Sequence, residues 1–211
     1  MLIAFDFDGT LSDSEMTVLL GEEKDVAEEI AGITDRAMNG EIGYAESLRQ
    51  RIELLEGLPE ERMNHAFERI KFHEGAADLI NDLRDAGVFV AILTGGFERG
   101  VESVLERNGI EVDEIVANRL VLENGALTGE VEGSLIEGTK DEALERLATS
   151  EGVDLEDTMA VGDGANDLPM LRIAGDAIGY EPKPTVREEC DTVVASVEEL
   201  RRLLEEKGVL G

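Results

Sequence analysis

The chain reads as an α/β fold: a parallel sheet whose strands deliver polar groups at one edge, with a helical segment inserted after the first strand. Short apolar runs at 2–5, 88–93 and 158–161 each lead straight into acids, hydroxyls or glycines. Strands that end in ligand groups in this way point to one shared site at the carboxyl edge of a parallel sheet. Between the first and second runs, residues 15–69 are strand-poor and carry helical spacing.

The first strand covers residues 2–6. In the inserted segment Val26, Ile30, Ile33 and Ala37 recur at three- and four-residue steps, and Leu48, Ile52 and Leu55 do the same. Gly57-Leu58-Pro59 breaks the pattern, which resumes at Met63, Phe67 and Ile70. A helix over 76–86 follows, and Gly87 suits its C-terminal cap. The strand at Val88 comes next, then a second α/β unit over 97–116. Asn124-Gly125 favours a type I′ turn, which predicts a hairpin over 120–128. A helix over 141–148 precedes the strand at Thr158, further strands lie at 177–179 and 192–194, and a helix over 197–207 closes the fold. No internal repeat or long linker interrupts this order. The expected organisation is a core of residues 1–14 and 72–211 with a helical cap of residues 15–71.

The polar groups have a chemical logic. Asp6 and Asp8 are two residues apart on an extended segment, so their side chains share a face. Two carboxylates held that close repel unless a cation sits between them. The plain alternative is a strand ending in solvated acids. Near the other end, Gly162 and Gly164 let the backbone turn tightly around Asp163 and Asp167. Thr94-Gly95-Gly96 offers a hydroxyl and closely approachable amides, and Lys140 stands near a helix start after Gly138-Thr139.

Composition excludes several classes of function. The 211 residues are 42% hydrophobic, enough for a real core. Against 49 acidic residues stand 19 basic ones, a formal net charge of −30. Such a surface does not bind nucleic acid or an anionic membrane by simple attraction. The regular apolar periodicity argues against an acidic disordered chain. The better account is a protein of a salt-accumulating cytoplasm, and lysine is scarce: Lys24, Lys71, Lys140, Lys183 and Lys207. Cys190 stands alone, so it forms no disulfide within the chain and reads as a small, partly buried hydrophobe. His65 and His73 show no metal-site spacing and read as surface or helix-end residues. The first residues do not read as a signal peptide, and no segment approaches the ~20 apolar residues that span a bilayer, so the expected location is cytoplasmic.

Asp6-Phe7-Asp8-Gly9-Thr10, Thr94-Gly95-Gly96, the lone Lys140 and Gly162-Asp163-Gly164-Ala165-Asn166-Asp167, in this order, resemble the haloacid-dehalogenase-like superfamily of phosphatases. Residues 33–40 and 44–51 resemble the cap of its phosphoserine phosphatases, as do Gly95-Gly96-Phe97, Ala117-Asn118-Arg119 and Leu127-Thr128-Gly129. The resemblance runs from about residue 2 to about residue 194. It implies a Rossmann-like core with an inserted helical cap, a small phosphomonoester as the partner molecule, and hydrolysis through an aspartyl-phosphate with Mg²⁺.

The resemblance also implies roles. Asp6 is the nucleophile and Asp8 the general acid and base. The metal is held by Asp6, Asp163 and the backbone carbonyl of Asp8. Asp167 either supports the metal from behind or caps the helix around Met170. Thr94 and the Gly95 amide bind phosphoryl oxygens, Lys140 offsets their charge, and Asn166 makes a polar contact beside them. Arg51 takes the substrate carboxylate and Glu15 its ammonium. Met38 and Tyr44 either cover the substrate or belong to the cap core. The departures are mild: Gly9 and Thr94 where serine is common, Tyr44 where phenylalanine is, a weaker match over 17–25, and two extra residues around 111–114. A relative acting on another small phosphate, a phosphotransferase to an acceptor alcohol, and a non-catalytic binding protein remain as alternatives. Oligomeric state is not legible.

At ~1 M salt the Debye length is ~3 Å, so the self-repulsion of so acidic a chain is screened. The expected outcome is loss of cooperative structure in dilute buffer without divalent ions and recovery in molar KCl, read by circular dichroism.

Overall fold

The computed structural model describes residues 1–38, 41–137 and 139–211, with Met38 by its backbone alone. The expectations on the Met38 side chain, on Asn39 and Gly40 and on Gly138 lie outside the described residues. The chain opens with β1 (Leu2–Phe5), followed by α1 (Met16–Glu23), α2 (Ala27–Met38), α3 (Tyr44–Glu53) and α4 (Glu60–Glu68). Then come α5 (Ala76–Asp85), β2 (Phe89–Phe97), α6 (Glu98–Asn108), β3 (Glu114–Glu123) and β4 (Ala126–Glu132). The last third holds α7 (Lys140–Glu151), β5 (Thr158–Gly162), α8 (Leu168–Ile173), β6 (Asp176–Tyr180), α9 (Pro184–Arg187), β7 (Thr192–Val194) and α10 (Val197–Glu206).

The strands form one sheet in the order β4-β3-β2-β1-β5-β6-β7. β1 sits in the middle and pairs parallel with β2 and β5. Among the described strands β4 alone runs antiparallel to its neighbour. The burial of β1 on both faces follows from helices on both sides. Ile3 and Phe5 pack with Leu79, Ile80, Val104 and Leu200, while Leu2 and Ala4 pack with Leu144, Leu147, Met170 and Leu171. Successive strand residues alternate faces, so this parity carries forward into the polar residues after Phe5.

One element differs from its expectation. The sequence predicts a unit closing near 116 and a separate hairpin at 120–128, but β3 is one ten-residue strand. Its first half pairs parallel with β2 and its second half antiparallel with β4. Nothing in Ala117-Asn118-Arg119 breaks an extended chain, since it holds neither glycine nor proline. The hairpin tip then docks on the break between α3 and α4. The Gly57 N–H donates to Leu127 O at 2.7 Å, the Leu127 N–H to Leu58 O at 2.9 Å, and the Glu60 N–H to Gly125 O at 2.9 Å.

The entry and exit of the helical insertion run side by side. The Asp13 N–H donates to Lys71 O at 3.1 Å and the His73 N–H to Leu11 O at 2.8 Å. No helix among the described residues is long and apolar enough to cross a membrane. Phe67 of α4 is buried against Phe97 at the end of β2, with ring centroids 6.5 Å apart. Emptying that position leaves a cavity at the seam between the helices and the sheet. Phe67→Ala is expected to lower the unfolding free energy by about 3 kcal/mol, measured by urea denaturation in molar KCl.

Candidate active site

β1 ends at Phe5, and the parity of the strand turns Asp6 toward the face that carries Leu2, Ala4 and α7. Lys140 is the first residue of α7, on that same face. Its ammonium donates to Asp6 Oδ1 at 2.6 Å and to Asp167 Oδ1 at 2.5 Å. All three side chains are at most 4% exposed. Burial, and then the charge of Asp167, push the Asp6 carboxyl up to about 7 against the pull of Lys140. Burial alone would lower Lys140, but Asp167 and Asp6 outweigh it and hold the ammonium charged.

Both oxygens of Asp167 are engaged. Its Oδ2 accepts from the backbone N–H of Asp163 at 3.0 Å and of Gly164 at 2.9 Å. It does not cap α8 through its side chain, which reaches back to the preceding turn instead. A Cβ at Gly162 would lie 2.5 Å from this carboxylate, so only glycine leaves room for it. Asp163 is placed by a similar close approach. Gly9 has φ +80°, and a Cβ there would lie 3.1 Å from the Asp163 Cγ and both its oxygens. Burial raises the Asp163 carboxyl, and Lys183 opposes that rise from 3.2 Å.

Asp6, Asp163 and Asp167 each bring a carboxylate oxygen within 4.8 Å of the others. The donors are all carboxylate oxygen, the set preferred by a hard divalent cation. Three acids face one fully buried lysine, so the cluster fits an added cation. The Asp8 side chain stands apart from this group. Its Oδ2 accepts from the Met16 N–H at 3.2 Å, while its buried Oδ1 has no partner among the described residues. Burial, then Glu15 and Asp6, push its carboxyl well above the usual range.

Thr94 is buried at the carboxyl end of β2. The pairing of β2 with β3 shifts between Leu93 and Phe97, which frees Thr94-Gly95-Gly96 from a regular ladder. Thr94 Oγ1 accepts from the Gly96 N–H at 3.0 Å, leaving its own hydroxyl proton to donate. The carbonyl of Gly95 accepts from Asn118 Nδ2 at 3.0 Å, and the Tyr44 hydroxyl approaches it at 3.5 Å. A Cβ at Gly95 would collide with that hydroxyl.

Glu15 immediately precedes α1, and Arg51 lies in the last turn of α3. Arg51 Nε donates to Ser47 O and Nη1 to Thr17 Oγ1, each at 3.3 Å. Burial lowers its guanidinium from the usual value, opposed by Tyr44, Glu15 and Asp8. Among the described residues it forms no ion pair, in a chain with 49 acids. Glu15 is exposed, yet the surrounding protein desolvates its carboxyl and raises it, while Lys183 pulls it down. Asn166 is exposed, in a short 3-10 turn over 165–167.

Sequence reasoning gave no role to Asn118, Met16 or Lys183. Asn118 is fully buried and fixes the Gly95 carbonyl. An asparagine among the apolar residues of a strand is the sequence signal for this role. Met16 donates its amide to Asp8 and accepts at Sδ from the Phe97 N–H at 3.2 Å. Nothing in its sequence context sets it apart from an ordinary core methionine.

The haloacid dehalogenase-like hydrolase pattern matches residues 3–172. The phosphoserine phosphatase of Halobacterium salinarum is 49% identical over 208 residues, 99% of each chain. That of Methanocaldococcus jannaschii is 43% identical, covering 96% of this chain and 95% of its own. A solved phospho-aspartyl intermediate analogue of phosphoserine phosphatase superposes with a TM-score of 0.88 at 41% identity, over 96% of this chain and 97% of the other. A substrate-bound phosphoserine phosphatase complex does so with the same score and identity, over 97% of both. The likeness extends over the whole of the sheet and the acid-lysine cluster at its edge, and the chain belongs to the haloacid dehalogenase-like hydrolases.

Proposed function

We propose that this enzyme hydrolyses O-phosphoserine to serine and phosphate, with Asp6 as nucleophile. The observation that carries the amino-acid substrate is Arg51: a half-buried guanidinium without an ion pair among the described residues, with the charge of Glu15 acting on it. Leaving a cation unpaired in so acidic a chain reserves it for a carboxylate ligand, which it grips in a bidentate fork. Glu15 then takes the substrate ammonium. The phosphoserine phosphatase relatives support this assignment.

The residues act in sequence. The Lys140 ammonium holds Asp6 Oδ1, so Oδ2 is the oxygen left to attack phosphorus. As the Asp6–phosphorus bond forms, the bond from phosphorus to the serine oxygen breaks, and Asp8 gives that oxygen its proton. Water then attacks the phosphorus and loses a proton to Asp8, the Asp6–phosphorus bond breaks, and phosphate leaves. The Thr94 hydroxyl and the Gly95 amide donate to the phosphoryl oxygens, Lys140 adds its charge, and Asn166 makes a polar contact at the rim. Asp6, Asp163 and the Asp8 carbonyl would hold Mg²⁺, supported by Asp167. When bound, the ion supplies neutralisation of the phosphoryl charge that otherwise repels the carboxylate nucleophile.

Residues 15–71 form the cap and 1–14 with 72–211 the core. Support comes from the adjacent entry and exit segments at Asp13–Lys71 and Leu11–His73. The Tyr44 hydroxyl, reaching from α3 to Gly95, suits a cover over the phosphate end of the cleft.

Asp6→Asn keeps the shape but removes the nucleophile, and phosphate release is expected to fall by at least about 10³-fold. Wild type treated with magnesium and beryllofluoride should carry one adduct on residue 6, seen by crystallography, and Asp6→Asn none. Arg51→Ala is expected to raise KM for phosphoserine by about 10²-fold while sparing a phosphoester without a carboxylate. Equal loss on both esters, in a substrate panel run in molar KCl, would favour a broader phosphatase over an amino-acid specific one.

A further inference from the structure

Lys183 lies on the loop between β6 and α9, outside every role given above. Its backbone N–H donates to the Asp163 carbonyl at 2.9 Å, which pins the lysine beside the acid loop. Pro182 and Pro184 flank it and stiffen that backbone, so the freedom that remains is in the side chain. Its Nζ lies 3.2 Å from Asp163 Oδ2. The Lys183 side chain is 46% exposed and that of Asp163 13%. Lys140 is the opposite case: buried, and gripped by two carboxylates. One cation of the site is therefore fixed and the other is free to leave.

Lys183 engages one oxygen of Asp163, Oδ2. The Asp163 carboxylate is packed against Gly9 on one side, and the ammonium of Lys183 stands at Oδ2. We propose that Lys183 is a tethered counter-cation, which pairs with Asp163 in the metal-free enzyme and competes with a divalent ion for that carboxylate. It thereby weakens metal binding and keeps the carboxylate cluster compact while the ion is absent. Glu15, the next carboxylate along the cleft, is close enough to interact with the released ammonium. The pairing persists in brine because the Asp163 side chain is only 13% exposed and the lysine backbone is pinned beside it, whereas screening falls on charges separated by water. This inference rests on the divalent-metal reading above.

The test is calorimetric titration of Mg²⁺ into metal-stripped wild type, Lys183→Met and Lys183→Arg in molar KCl. Lys183→Met is expected to bind Mg²⁺ about five-fold more tightly than wild type, and Lys183→Arg, which keeps the charge, with wild-type affinity. Thermal melting should show metal-free Lys183→Met below metal-free wild type, with the two metal-loaded proteins alike. Equal or weaker Mg²⁺ affinity in Lys183→Met overturns the role of Lys183 and leaves the metal reading intact. Absence of Mg²⁺ binding in all three proteins overturns the metal reading and this inference with it.

Discussion

The ammonium of Lys140, held between Asp6 and Asp167, is the contact on which the rest of the site depends. All three groups are buried, and a charge taken out of water unpaired costs several kcal/mol. None of them is tolerable alone. The turn after β1, the start of α7 and the turn after β5 must therefore close on one another together, although Lys140 is 134 residues from Asp6 and 27 from Asp167. The same contact divides the labour among the acids. One oxygen of Asp6 is spoken for and the other is open. Both oxygens of Asp167 are engaged, so the carboxylate left with freedom at the edge of the cluster is Asp163.

The helices after β1 are joined to this cluster rather than laid over it. Met16, the first residue of α1, gives its amide to Asp8 and takes the Phe97 N–H at sulfur. Its Sδ would lie 3.1 Å from a Cβ at Gly96 and 2.7 Å from one at Gly100, which explains two glycines on one side of the site. Glu15 and Thr17 flank it, and Thr17 carries the hydroxyl that accepts from Arg51. Groups placed to select a substrate and the carboxyl placed to move its proton are thus set by one short stretch of backbone. The hairpin tip, hydrogen-bonded to residues 57–60, gives the far end of the helices a second tie to the sheet.

Much of this was legible in the chain because it is local. The acids after β1, the hydroxyl and glycines after Leu93 and the glycine-framed acids after β5 each sit at the end of an apolar run, and alternation alone turns Asp6 toward α7. Lys140 was legible as a helix-start lysine in a lysine-poor chain, but its partners were not, because ion pairs between distant turns leave no mark on spacing. Asp167 shows the limit. As an acid just before Leu168-Pro169 it reads equally as a helix cap, and only the closeness of its carboxylate to Gly162 and to the amides at 163 and 164 separates the two. The sequence divides β3 because Asn-Gly advertises the turn at 124–125, whereas the continuity of the strand before it advertises nothing. Lys183 reads as one more solvated lysine until Asp163 is seen beside it.

The acidity of the chain acts differently on its surface and on its site. With a formal charge of −30, the exterior depends on mobile ions to screen its own repulsion. Exposed pairs such as Arg202 with Glu198, 3.6 Å apart, gain little in that medium. Inside, the working distances are 2.5 to 2.6 Å between groups that solvent ions do not reach. Screening falls on charges separated by water and spares those in direct buried contact. Concentrated salt can therefore relax the shell while leaving the Asp6–Lys140–Asp167 contact at full strength, so an acid-rich exterior and a charge-dependent site coexist in one chain.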